Sequence, residues 1–388
     1  MPDSGLVDWI LSGLAPSLKT REERPPERED YLHHVTDSLE ILRRSESCIT
    51  ADTIPSIVLL CSQHSSEELP WSSPEHSNIT HRLLSVIEER AGSLGALLSQ
   101  TEGKVFKTLL SYLQPSLENF SLEPGSVRSV VWLTQQVTDP ESLDLLVPVL
   151  LPHLLHWLDC WLPHYKLEGC QLSRHIAAHS SPSQLIFYGR AELLTETLTR
   201  LVASQEVAVA RAAGEALLSL TTIRHDSSQA ARPGQADLLM KTLISSLELS
   251  SQAERQEVYC GLIRDTVPVL GRGAARWVSL LSLNMISLLD TSPPSSVFSI
   301  LSLLASQCPE CLARETSPLL TGLFRLLYRL SLEDGERGEM LSDVRECIEA
   351  VARCDVDTAR LMCLGLQQET VNSTFDTLTA SLLSDLNI

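Results

Sequence analysis

The sequence has few aromatic residues and no excess of basic residues, and both shortages narrow the possible folds and functions. Aromatic residues make up 5% of the 388 residues, whereas 71 residues are leucine. Pleated sheets are built largely from Val, Ile, Thr and aromatic side chains, so this composition argues against an all-β fold. Lys and Arg together number 30 against 49 Asp and Glu, a net charge of −19. Such a charge repels nucleic acid and anionic membranes, and we expect neither as a partner.

The sequence also lacks an apolar run that could cross a membrane, which takes about 20 residues. The longest uncharged apolar stretch, Trp277–Leu289, is interrupted by serine and asparagine. The first residues, Met1–Asp8, contain neither the basic segment nor the long apolar segment of a secretory signal. We therefore expect reduced cysteines in a protein that stays inside the cell.

Composition shifts divide the chain into four predicted regions. Residues 1–20 carry the apolar spacing of an N-terminal helix, and residues 21–30 form a charged linker that contains two adjacent prolines. Residues 31–123 have the pattern of an irregular helical region. Residues 124–388 have the regular pattern of HEAT-like helical repeats.

The predicted fold is all-α, a HEAT- or armadillo-like α-solenoid of stacked antiparallel helix pairs. Apolar helical runs recur at intervals of about 40–47 residues, which is the period of these repeats. Predicted repeat units begin near Ser126, His164, Val207, Glu254, Ser295 and Gly335. Displacing the sequence by 45 residues also aligns Gly169 with Gly214 and Leu172 with Leu217. Because a single helix pair cannot bury its apolar face, the pairs must stack on one another.

Motifs that would indicate catalysis are missing, and two weak metal candidates remain. The sequence contains no phosphate-binding loop and no nucleophile elbow. His175 and His179 share the spacing of zinc ligands, but Ile176 stands where a metalloprotease needs its glutamate. Cys308 and Cys311 have a zinc or thiol-redox spacing without a second close pair. We predict no cofactor, no metal and no enzymatic activity, with a zinc or thiol enzyme at Cys308 and Cys311 as the alternative.

Several apolar or aromatic groups are candidates for partner binding. Trp157, Trp161 and Tyr165 are close enough in sequence to form either a partner anchor or a filler between two helices. Two C-terminal stripes at helical spacing could bind a partner or pack against the preceding helices. The first stripe contains Leu319, Leu320, Phe324, Leu327 and Tyr328, and the second contains Phe375, Leu378, Leu382 and Leu386.

Three runs resemble the centre of a known family. Leu154–Asp159, Tyr165–Leu172 and Phe187–Glu192 look like the second Tel-interacting protein (Tti) family, over roughly residues 145–225. The resemblance implies a HEAT-repeat subunit of the TTT cochaperone complex that binds the Tel protein and the other Tti subunit. It marks Tyr165, Lys166 and Arg190 as candidate partner-binding residues.

The family resemblance also implies clients and a location. The clients would be phosphatidylinositol-3-kinase-related kinases of DNA-damage and nutrient (TOR) signalling, which mature with the heat-shock chaperone and its adaptor. We expect a cytoplasmic and nuclear protein on this basis. The same solenoid would also suit another HEAT-repeat adaptor, such as a nuclear-transport or phosphatase scaffold, and this alternative stays open.

Overall fold

A computed structural model shows a helical protein. It describes residues 33, 35–37, 40, 53–65, 71–118, 120, 124–224, 234–291, 293–332, 338–367 and 380. Across these residues the regular structure is α-helix with short 3₁₀ turns, and no strand occurs. The all-α prediction is therefore confirmed. The predicted helix over residues 1–20 and the linker over residues 21–30 lie outside the described residues.

The chain divides into two compact units, one ending at Thr197 and the other beginning at Leu198. The described helices of the first unit are α1 (Ile54–Gln63), α2 (Pro74–Ala91), α3 (Leu94–Glu118), α4 (Pro124–Gln135), α5 (Pro140–Asp159), α6 (Pro163–His179), α7 (Pro182–Phe187) and α8 (Arg190–Val202), within which the boundary falls. The predicted division at residue 124 stays a prediction.

The described helices of the second unit include two short 3₁₀ segments, Gly271–Trp277 and Ala313–Glu315. The α-helices are α9 (Val207–Arg224), α10 (Gln235–Glu248), α11 (Ala253–Leu270), α12 (Val278–Leu289), α13 (Ser296–Gln307), α14 (Pro309–Leu312), α15 (Thr316–Leu332), α16 (Gly338–Ala352) and α17 (Val356–Gln367). Within the described ranges no single helix is long and apolar enough to span a membrane, and only α13 together with Pro309–Leu332, bent by 114°, reaches that length and composition.

Each unit contains two layers of helices. In the first unit α3 contacts α5, and α1 contacts α4, which contacts α6. In the second unit the series α10–α12–α15–α17 forms one layer, and the series α9–α11–α13–α16 forms the other. In the first unit, layer A is the layer that contains α3 and α5. In the second unit, layer A is the layer that contains α10, α12, α15 and α17. The opposite layer is layer B, and the apolar core of each unit lies between its two layers.

Proline and small acidic or hydroxyl residues determine where several helices begin. Proline fixes a helical φ and has no N–H to leave unpaired in the first turn, and it is the first residue of α2, α5, α6 and α7. Ser73 accepts a hydrogen bond from the His76 N–H at 3.2 Å, and Asp139 accepts one from the Ser142 N–H at 2.9 Å. These side chains cap the free N–H groups of α2 and α5.

Polar contacts tie each repeat to the next. Asp237 on α10 is buried and accepts hydrogen bonds from the Gly234 N–H (2.8 Å), from Arg276 (3.0 Å) and from the Trp277 indole (2.9 Å). Arg329 on α15 donates to the carbonyls of Leu289, Asp290 and Thr291 at the end of α12. The partners are 38–40 residues from one another, except for Gly234. Such contacts between adjacent repeats are what a stacked repeat array requires.

The predicted repeat period is confirmed, but the helix pairing is different. The predicted starts lie within three residues of the first residues of α4, α6, α9, α11, α13 and α16, which are all layer B helices. The most extensive hairpins, however, join a layer A helix to the layer B helix that follows it, as in α5–α6, α10–α11 and α15–α16. The predicted pairs are therefore offset by one helix, because a period along the sequence does not say which neighbour a helix packs against.

Candidate partner-binding surface

A tight turn joins α7 to α8. Leu185 is fully buried and anchors the short helix α7. Gly189 has φ +67°, a left-handed conformation that favours glycine, and its N–H donates to the Ile186 carbonyl at 3.0 Å. The Gly189 carbonyl in turn accepts from the Leu193 N–H at 3.2 Å. The backbone of this turn is therefore held in one conformation.

Two aromatic rings and one guanidinium project from this turn. Phe187 is 82% exposed and Tyr188 is 59% exposed. Their ring centroids are 5.0 Å apart in an edge-to-face arrangement, which is a favourable aromatic geometry. The Arg190 guanidinium lies 4.6 Å from the centroid of the Tyr188 ring, a cation–π contact. We call Phe187, Tyr188 and Arg190 the aromatic turn.

The Arg190 guanidinium has hydrogen-bonding capacity left over. Its Nη1 is shielded from water and has no hydrogen-bond partner among the described residues, although the side chain as a whole is only half-buried. A shielded N–H without an acceptor is unfavourable, so an added acceptor would be stabilising. Exposed aromatic residues beside an arginine are the residue types that contribute most to protein interfaces.

Tyr165 lies in the core of the first unit rather than on its surface. Its side chain is 1% exposed, and its hydroxyl donates to the Phe120 carbonyl at 2.5 Å. Burial is the main cause that raises the pKa of its phenol, and the nearby Cys160 thiol raises that pKa further. Tyr259 on α11 makes a related contact in the second unit, where its hydroxyl donates to the Val202 carbonyl at 3.1 Å. Both tyrosines bind the main chain of an earlier segment, and the partner contact predicted for Tyr165 stays a prediction.

The other predicted partner-binding residues are in different places. Lys166 is half-buried on α6, one residue after Tyr165, whereas the aromatic turn follows α7. Phe324 is buried on α15, which packs against α12, α16 and α17, and Tyr328 is half-buried on the same helix. Phe375 and Leu382 lie outside the described residues.

The three residues of the predicted aromatic cluster separate into core and surface. Trp157 and Tyr165 are buried, whereas Trp161 is 80% exposed in the short connection between α5 and α6. Phe187 and Tyr188 were not predicted as site residues. The available signal was two adjacent aromatic residues before a glycine, shortly after a helix-starting proline at residue 182.

The residues considered as candidate metal ligands lie in ordinary surroundings within the protein. His175 Nε2 is 2.9 Å from the Val137 carbonyl, and its ring lies 4.5 Å from that of His179. Burial, as the main cause, lowers the pKa of His175. Cys308 is buried at the start of α14, and burial raises its pKa. The parts of the chain that the structure describes hold no group of three or more His, Cys, Asp or Glu side chains arranged to bind a metal ion.

Exposed apolar side chains are unevenly distributed between the layers. In the first unit Tyr112 lies on α3, and Leu145 and Val149 lie on α5. In the second unit the exposed apolar side chains on layer A are Leu238, Leu280, Leu283, Leu332, Val356, Leu361 and Leu364. Among described residues, the exposed large apolar side chains include none on a layer B helix. A cleft on layer B of the second unit is instead lined by charged residues such as Arg211, Glu257 and Asp265.

Comparison with known proteins finds relatives that carry the name of the family that the sequence resembles. No protein-family model matches the chain. The chain is 30% identical over 137 residues to TELO2-interacting protein 2 of Mus musculus, which is 33% of this chain and 26% of the relative. It is 25% identical over 197 residues to TELO2-interacting protein 2 of Homo sapiens, which is 48% of this chain and 38% of the relative. Over these parts of its length, the chain is similar to proteins of that name.

The matches are partial, and the fold has wider relatives. The chain spans between about a quarter and two fifths of the length of these curated Tti relatives. The structure of Kap121p bound to Nup53p superposes with a TM-score of 0.64 at 13% identity, over 94% of this chain and 37% of the karyopherin. A structure of Kap95p with RanGDP gives a TM-score of 0.57 at 11% identity, over 92% of this chain and 45% of the other. At such identities the likeness shows the HEAT-repeat fold alone.

Proposed function

We propose that this chain is a non-catalytic scaffold subunit of the TTT cochaperone complex. The proposal rests chiefly on its similarity to proteins named for their interaction with TELO2. In this role the chain binds the Tel protein and the other Tti subunit. It supports the maturation and stability of phosphatidylinositol-3-kinase-related kinases together with the heat-shock chaperone and its adaptor. It acts in the cytoplasm and the nucleus, in DNA-damage and TOR signalling.

The physical properties of the chain agree with a role in holding other proteins. Stacked helix pairs offer a long surface, and a second helical array or an amphipathic helix can dock on such a surface. The exposed aromatic turn and the apolar side chains on layer A provide the kinds of residue that protein interfaces use. Burial raises the pKa of the thiols of Cys61, Cys170, Cys260 and Cys347, which makes them poor nucleophiles.

Affinity purification of the full chain from cells tests the binding part of the proposal. We expect TELO2 and the other Tti subunit to co-purify in stoichiometric amounts. Recovery of a small GTPase with transport cargo, or of phosphatase subunits, would instead identify a different HEAT-repeat adaptor. A purified chain with stoichiometric zinc that is lost in Cys311→Ser would favour the enzyme alternative.

Depletion tests the client part of the proposal. When the chain is depleted, the protein levels of several phosphatidylinositol-3-kinase-related kinases should fall while their messenger RNA levels stay constant. Re-expression of the wild-type chain should restore those levels. Kinase protein levels that do not change after depletion would contradict the proposal.

A further inference from the structure

We propose that the aromatic turn is the anchor by which this chain binds its TTT partner, and that the partner presents an apolar pocket bordered by a carboxylate. The inference rests on the proposed function, because it names the surface and the chemistry of that interaction. Phe187 fills the pocket, Tyr188 lies at its edge, and Arg190 pairs with the carboxylate.

Exposure and rigidity together support the role of Phe187. A phenyl ring that is 82% exposed gains favourable burial in proportion to the apolar area it removes from water. The turn is already ordered by the left-handed Gly189 and by two backbone hydrogen bonds. A side chain on such a turn loses little additional entropy on binding, so more of the burial energy contributes to affinity. Because the ring projects outward, the partner must supply the concave surface.

The unpaired hydrogen-bonding capacity of Arg190 determines the polar part of the partner site. The guanidinium stacks on Tyr188, and its Nη1 lacks an acceptor within the described residues. A carboxylate matches the planar fork of a guanidinium with two parallel hydrogen bonds, and the pair gains strength when an aromatic ring shields it from water. A carboxylate on a partner is therefore the group that best completes this site.

A second copy of the same chain is a poor occupant by comparison. The net charge of −19 makes two copies repel one another at neutral pH. Trp161 provides a matched control, because it is an aromatic residue that is 80% exposed and precedes the 17-residue helix α6, whereas the aromatic turn follows both α6 and α7.

The test uses the full-length chain co-expressed with TELO2 and the other Tti subunit, and it measures the affinity of the complex. We expect Phe187→Ala and Arg190→Glu each to weaken binding at least about tenfold. Arg190→Lys should fall between the wild type and Arg190→Glu, since lysine keeps the charge but not the planar fork. Trp161→Ala should bind like the wild type. Because all these side chains are exposed or half-exposed, the variants should keep the wild-type helix content and thermal midpoint.

The outcomes separate the two proposals. If the wild-type complex forms and both Phe187→Ala and Arg190→Glu bind with wild-type affinity, the aromatic turn is not the anchor, and the proposed function stands. If the wild-type chain binds neither TELO2 nor the other Tti subunit, the proposed function is wrong and the inference falls with it. Restoration of Arg190→Glu binding by an acid-to-lysine substitution in the partner would support the carboxylate directly. Variants that alter only self-association of the chain would overturn the inference.

Discussion

At the scale of single residues, the pair Arg128 and Glu168 shows how one contact can depend on pH. Glu168 lies on α6 and its carboxylate is 3.3 Å from the Arg128 guanidinium of α4, with each side chain 20% exposed. Burial raises the pKa of the Glu168 carboxyl above its ordinary value, and the Arg128 charge acts in the opposite direction. Burial thus disfavours the ionised form of Glu168, and the Arg128 guanidinium stabilises it.

Arg128→Met should therefore destabilise the protein in a pH-dependent way. Removal of the cation leaves a largely buried carboxylate unpaired, at a cost of about 2–3 kcal/mol at pH 7.5. A group whose folded pKa is raised contributes stability below its unfolded pKa and loses it as the pH rises through the folded pKa. The loss of stability in Arg128→Met, relative to the wild type, should thus become smaller as the pH is lowered and Glu168 is protonated. Urea unfolding at pH 7.5 and pH 5 measures it.

The double variant Arg128→Met with Glu168→Gln is the control for this prediction. It has no carboxyl at this position, so its stability relative to the wild type should lack the pH dependence of the single variant. An Arg128→Met deficit that is equal at both pH values would show that lost packing of the arginine, and not the unpaired carboxylate, causes the destabilisation.

At the scale of helices, three glycines on layer B differ in what surrounds them. A Cβ atom at Gly214 on α9 would overlap the side chain of Leu262 on α11, and a Cβ at Gly169 on α6 would lie 2.8 Å from Leu158 Cδ2. A Cβ at Gly261, in the middle of α11, would meet nothing within 4 Å. The small residue is therefore required for helix contact at Gly214 but not at Gly261.

Alanine substitutions at Gly214 and Gly261 should have opposite effects. Gly214→Ala gains helix propensity but forces the buried Leu262 to move, and we expect a net loss of about 1–3 kcal/mol. Gly261→Ala gains the same propensity without a steric conflict and should stabilise by about 0.5–1 kcal/mol. Thermal unfolding of the full chain followed by circular dichroism compares them. A stabilising Gly214→Ala would mean that α9 and α11 are not in close contact.

At the scale of the whole molecule, the acidic excess controls association between copies. The net charge is −19 at pH 7, and the isoelectric point is about 5.0. As the pH falls toward 5.0, carboxylates are protonated and the repulsion between copies disappears. The intensity of static light scattering at low salt should increase as the pH is lowered from 7.5 to 5.0. It should fall back to its starting value when the pH is returned to 7.5. Scattering that stays constant over this range would show that charge does not limit self-association.

The sequence was a good guide to features that depend on short segments. The spacing of apolar residues predicted helices, and the repeat starts near Val207 and Glu254 coincide with α9 and α11. The alignment of Gly169 with Gly214 placed both glycines on layer B helices at close contacts. These features are local because helix periodicity, caps and starting prolines act within about one turn of the chain.

The sequence was a poor guide to which apolar residues reach the surface. Tyr165 and Phe324 have the residue types of interface anchors but are buried, whereas Phe187 belongs to a six-residue helix and is exposed. Burial of Tyr165 depends on Phe120, 45 residues earlier, and that contact follows from stacking and not from local pattern.

The amino-acid sequence by itself determined that this chain is helical, that its helices recur with a HEAT-like period, and that its surface is acidic, because each property is carried by composition or by spacing within a turn. Only the tertiary structure decided that α5 packs on α6, that Tyr165 is internal, and that Phe187, Tyr188 and Arg190 stand together on the surface. Those outcomes depend on contacts between segments tens of residues apart, and a helical period is the same whichever neighbour a helix packs against.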